Sequence, residues 1–141
     1  MKALLAISIL VVVSSRLVAV SAAADGERLP SILALMHRQY TVSRAPYKAI
    51  KAQSASESPD WSKVEAAGTT FKELATTLAK QSPRKGGMES WRGLIERHLE
   101  DARAVERAAQ AHDLKALREA ERRIAVSCAA CHKVHRGRRG D

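Results

Sequence analysis

From residue 29 onward, apolar residues return at three- and four-residue steps, and no stretch alternates strictly between apolar and polar. That period predicts helices and argues against strands. Over 29–44, Leu29, Ile32, Leu33, Met36, Tyr40 and Ser43 form one inward stripe. Pro30 suits the first turn, and Pro46 ends or bends the helix. The small, polar run 51–58 (KAQSASES) reads as a loop, with 47–50 as a helical remnant before it. The second helix is expected to start with Ser58 as N-cap and Pro59 at the first helical position, with Asp60 near the positive end of the dipole. Its seam is Trp61, Val64, Ala67 or Gly68, Phe71, Leu74 and Leu78, and it stops near Ser82-Pro83. Gly86-Gly87 punctuates the connection. The third helix spans 88–111 and turns Trp91, Leu94 or Ile95, His98, Ala102, Val105 and Ala109 inward. Its late small residues predict room for a flat ligand. The fourth begins after Asp113, a good N-cap. There Leu114, Leu117, Glu121, Ile124, Cys128, Cys131 and His135 step by threes and fours.

Four helices with short connections predict an all-α fold, an antiparallel up-down-up-down four-helix bundle. Such bundles hold cofactors between facing helices.

The first 24 residues differ from the rest. Lys2 is followed by an apolar run from Ala3 to Val13, and Ser21-Ala22-Ala23-Ala24 supplies small residues for cleavage. This reads as a secretory signal peptide over 1–24, removed near Ala22 or Ala24. Arg16 interrupts the run before it is long enough to span a bilayer, so no membrane span is expected after cleavage. Residues 25–141 then form one domain of about 117 residues. Removing Lys2 and Arg16 from the 24 basic residues leaves 22 against 15 acidic ones, which lowers the formal charge from +9 to +7. A basic surface suits an acidic partner protein and speeds encounter. Nucleic acid is not the expected partner, because the basic residues are spread along helices among Glu and Asp. Arg136-Gly137-Arg138-Arg139 is the only dense basic cluster, and a solvated chain end accounts for it.

The chain has two cysteines, and they stand three apart in Cys128-Ala129-Ala130-Cys131-His132. C-x-x-C-H is the spacing of covalent c-type haem attachment. Each thiol adds to one vinyl group of the porphyrin, and the vinyls lie on neighbouring pyrroles. On a helix, Cys128 and Cys131 share a face as an i, i+3 pair, and His132 follows on the adjoining side to reach the iron. Two other readings stay open. A zinc site could draw on Cys128, Cys131, His132 and His135, although one continuous helix closes a tetrahedron badly. A redox pair or disulfide is the other, although no βαβ pattern accompanies the cysteines, and a regular helical i, i+3 pair needs distortion to close.

A C-terminal C-x-x-C-H on the fourth helix of a small exported bundle resembles the class II cytochromes c, the cytochrome c-prime family. Glu89-Ser90-Trp91, Ala111-His112-Asp113-Leu114-Lys115-Ala116-Leu117 and Ser127-Cys128-Ala129-Ala130-Cys131-His132-Lys133-Val134-His135-Arg136 carry the likeness. His135 stands where the family has an aromatic residue. The likeness is specific from about Glu89 onward and weak before it. It implies a bundle with haem c between its helices, attached through Cys128 and Cys131, with His132 as proximal iron ligand. It also implies a Gram-negative periplasm, and in some members dimerisation through the first two helices, so a homodimer stays open.

The family divides by its sixth ligand. Low-spin members place a Met from the first helix on the iron and transfer electrons. High-spin members leave the site open and bind gases such as nitric oxide or carbon monoxide. By rough alignment Met36 falls at or near that position, and core packing is its other reading. His37 and His98 are lesser candidates, better read as satisfied surface or core residues. Arg136 could pair with a propionate. The leading expectation is an exported electron-transfer protein and not an enzyme. A five-coordinate gas-binding haem protein is the alternative. A weak peroxidase ranks below both, because only His37 or His98 could serve as its acid–base residue.

Overall fold

The computed structural model describes residues 29–136. The signal segment, its cleavage site and the 137–141 tail lie outside them. Among the described residues every regular element is helical. α1 (Ile32–Met36) runs without a break into a π-helical turn (His37–Thr41), and α2 (Pro46–Ala55), α3 (Trp61–Ala79), α4 (Met88–Gln110) and α5 (Leu114–His135) follow. α3 packs on α4, α4 on α5, and α2 bridges α3 and α5, so these four helices pack against each other. No described helix is long and apolar enough to cross a membrane.

The helix starts follow local chemistry. Ser31 caps α1 by accepting from the Ala34 amide at 3.2 Å. Asp113 caps α5 as expected, accepting from the Ala116 amide at 2.9 Å. The α3 cap is Asp60 rather than Ser58, two residues later than expected, because its carboxylate reaches the Lys63 amide at 3.2 Å. α3 also ends at Ala79, before the expected Ser82-Pro83.

The run 51–58 is not simply a loop. Residues 51–55 continue α2, which opens with Pro46 at its first position. Ile50 is fully buried and Ser54 turns its hydroxyl back to the Lys51 carbonyl at 2.9 Å, so one face of this polar helix is committed to the core. The first helix is also shorter than expected, and its inward face is different. Leu29 and Leu33 are exposed, whereas Leu35 and Gln39 are buried.

The main core joins Ile50, Val64, Phe71, Val105, Leu117 and Ile124. A second cluster joins Leu35, Leu78, Trp91 and Ile95. Ala102, Ala108 and Ala109 belong to the main core and are closed off from solvent. Their small size lets the helices approach closely, and a Cβ at Gly68 would already meet Val105 Cγ1 at 3.2 Å. The turn after α4 places His112 in the left-handed region (φ 49°), and its ring stacks on Trp61 with 5.1 Å between centroids.

Candidate functional site

α5 carries Cys128 and Cys131 on the stripe that also holds the buried Leu117 and Ile124. Ser127 is fixed below them by donating to the Ile124 carbonyl at 2.9 Å. Both cysteines are free and half-buried. Burial pushes both thiols up, and for Cys131 the nearby Cys128 adds to the shift, so both are neutral thiols near pH 7. Neutral thiols are inert until activated. His132 lies on the exposed flank of α5. Partial burial of its ring, then Arg136, holds its pKa below the usual histidine value. Its imidazole is therefore largely neutral, the form that ligates a metal.

The first helix covers the cysteines. The Cys128 thiol donates to Tyr40 Oη at 3.4 Å. Cys131 and Met36 both pack against the cluster of Leu35, Leu78, Trp91 and Ile95. Met36 and Cys131 thus pack on one apolar cluster, although they are 95 residues apart in sequence.

His98 and Gln39 sit beside this pair. His98 is 6% exposed and Gln39 is fully buried. His98 Nε2 lies 3.2 Å from both Gln39 Nε2 and Tyr40 Oη, and its Nδ1 lies 3.3 Å from Ser127 Oγ. Burial lowers the His98 pKa to about 4, so the ring is neutral. Burial also raises the Tyr40 pKa, keeping its hydroxyl protonated. Sequence reasoning passed over Gln39. It stands in i, i+3, i+4 register with Ile32, Leu35 and Met36, and that spacing was the available signal.

The remaining histidines stand apart. His37 and His112 are exposed. His135 holds the end of α5 to the α3–α4 connection, with Nδ1 2.6 Å from the Lys85 carbonyl and Nε2 3.2 Å from Ser90 Oγ. Arg136 is exposed.

Among the described residues, no three His, Cys, Asp or Glu side chains converge on a point that could hold a metal ion. A haem iron needs no such convergence, because the porphyrin supplies four nitrogens and the protein one imidazole. Two neutral thiols three apart, a neutral imidazole next in sequence and an apolar wall opposite match the donor set of a c-type haem. Two grooves are open between α4 and α5. One of about 590 Å³ runs along Leu94, Arg97, Asp101, Val126, Ser127 and Ala130. The other, of about 370 Å³, is lined by Ala104, Arg107, Ala108, Ala116, Glu119 and Arg123. Neither includes a cysteine or His132.

No protein-family model, curated protein or solved structure matches this chain.

Proposed function

We propose that this protein is an exported c-type cytochrome that carries one haem c and transfers electrons between redox partners. The observation that supports it best is the placement of C-x-x-C-H. Its two cysteines lie on the inner stripe of α5, and Cys131 packs on the same apolar cluster as Met36. In this reading Cys128 and Cys131 would hold the haem by thioethers, and His132 would ligate the iron. The bundle is antiparallel, up-down-up-down, with the haem between its helices.

When bound, haem supplies a one-electron Fe(III)/Fe(II) couple. The protein's share is to hold it. Cys128 and Cys131 tether it at two points, which limits its motion during transfer. His132 arrives already neutral and so gives up no proton on ligation. Leu35, Leu78, Trp91 and Ile95 exclude water from that side, which lowers reorganisation. Met36 would be the sixth ligand, and a thioether there would raise the potential. The basic surface fits a partner with an acidic docking face, and the periplasm is the compartment where such a chain would work. A homodimer through the first two helices is compatible with this reading.

Gas binding at an open iron is the second reading. It draws on Met36 itself, which is half-buried among apolar side chains and could simply pack above an open site.

The deciding experiment is expression in a host able to mature c-type cytochromes, followed by intact-mass measurement. The expected mass exceeds that of the cleaved polypeptide by one haem, and neither thiol alkylates. Two alkylatable thiols and no added mass would end this reading. Bound zinc would replace it with a structural metal site.

A further inference from the structure

Polar side chains meet behind Cys128 inside an apolar core, and their hydrogen bonds do not balance. The Gln39 amide nitrogen donates to the Phe71 carbonyl at 3.3 Å and lies 3.2 Å from His98 Nε2. An amide nitrogen can only donate, so Nε2 accepts and His98 carries its proton on Nδ1. Nδ1 then donates to Ser127, and Ser127 donates to the Ile124 carbonyl. The Tyr40 hydroxyl also lies 3.2 Å from Nε2 and can meet it only as a donor. Nε2 has one lone pair for these two donors. Gln39 Oε1, meanwhile, is buried with no partner. An imbalance of this kind inside a core calls for a reason.

The surroundings point to one. Gln39 and Tyr40 lie in the π-helical turn, closed by the Val42 amide donating to the His37 carbonyl at 3.2 Å. Such wide turns collect at functional sites. On the other side, Tyr40 Oη accepts from the Cys128 thiol. A thioether at Cys128 has no S–H, so the hydroxyl would lose that donor and keep its own proton. Gln39 alone can then satisfy His98, and the Tyr40 proton is free to turn outward.

We propose that Tyr40 is a hydrogen-bond donor held ready for the cofactor side of Cys128, with Gln39 keeping His98 satisfied when the hydroxyl turns away. This rests on the haem reading above. A donor at the Cys128 sulfur, 3.4 Å from Tyr40 Oη, would stabilise the electron-richer, reduced state of a haem tethered there. Tyr40 therefore raises the reduction potential without ligating the iron.

The test uses haem-loaded wild type, Tyr40→Phe, Gln39→Leu and the double variant, each checked for covalent haem by mass. Redox titration is expected to place Tyr40→Phe below wild type. Gln39→Leu should shift the potential the same way by less, because His98 then recaptures the hydroxyl. The double variant should match Tyr40→Phe. As a second readout, resonance Raman bands sensitive to the thioethers should move in deuterium oxide for wild type and stay fixed for Tyr40→Phe. A loaded Tyr40→Phe protein with the wild-type potential and the wild-type isotope shift would overturn this inference and leave the haem reading standing. A wild-type protein without haem would overturn both.

Discussion

The His135 ring stands edge-on to Trp91, with centroids 5.2 Å apart and planes at 83°. Because the Lys85 carbonyl can only accept, His135 Nδ1 donates to it, and Nε2 lies 3.2 Å from Ser90 Oγ, whose own proton goes to the Gly87 carbonyl at 2.9 Å. Trp91 in turn donates through Nε1 to the Gln81 carbonyl at 2.9 Å. The last turn of α5, which carries His132, is thereby pinned to the start of α4 and the connection before it.

Gly86 closes this clasp. Its φ of +81° suits glycine, and a Cβ there would stand 2.6 Å from His135 Nδ1. Gly86→Ala should therefore lower stability by about 1–3 kcal/mol through strain and loss of the ring contacts. Urea unfolding of Gly86→Ala, His135→Ala and the pair checks this. The double variant should lose less than the two singles together, because both changes remove the same contacts.

His98 makes stability depend on pH. Its pKa is about 4 in the folded chain and about 6.5 in an unfolded one. Between those values the unfolded state binds more protons, so stability falls as pH drops below about 6.5 and levels off near 4. The loss from pH 7 to pH 5 should be about 2 kcal/mol from this group. Urea unfolding at the two pH values measures it, and a His98→Leu variant should lack that part of the slope. An equal slope in both proteins would show that His98 is not the cause.

Met36 decides between the two functional readings. With Met36 on the iron, carbon monoxide should change the spectrum of reduced, loaded wild type slowly or not at all, and that of Met36→Leu at once. With Met36 as packing alone, wild type should respond as fast as the variant. The substitution keeps volume nearly constant, so folding stability should change by less than about 1.5 kcal/mol.

Arg123 guards a carboxylate. Asp101 is 7% exposed, and Arg123 Nε donates to its Oδ1 at 2.9 Å. Arg123→Met should cost about 1–3 kcal/mol, because Asp101 is left short of a partner; the arginine is itself half-exposed, which limits the loss. Adding Asp101→Asn should recover part of it. Thermal unfolding of the three proteins gives the comparison.

The long helices were legible because their apolar residues keep the 3.6 period without competition. The seam of α3 from Val64 to Leu78 and the stripe of α5 from Leu117 to Cys131 stand where the spacing put them. The first helix was harder to read. Ile32, Leu33 and Leu35 offer two apolar faces, and a polar Gln39 completes the one that is buried. Helix α2 was obscured for a related reason: only Ile50, Ser54 and Pro46 are buried in a helix otherwise polar and small. The cysteine motif was plain from spacing alone. Tyr40 against Cys128, and Lys85 against His135, bring together residues far apart in the chain, and no local pattern announces such pairs.

The wide turn at His37–Thr41 holds one residue more than an α-helical turn would. It is thus a natural point for lengthening or shortening the chain by a single amino acid, since α3, α4 and α5 would keep their mutual packing. Deleting Arg38, which points to solvent, should tighten the turn and swing Gln39 and Tyr40 about a hundred degrees around the axis. Such a deletion would separate the polar side chains from the thiols while sparing the rest of the molecule.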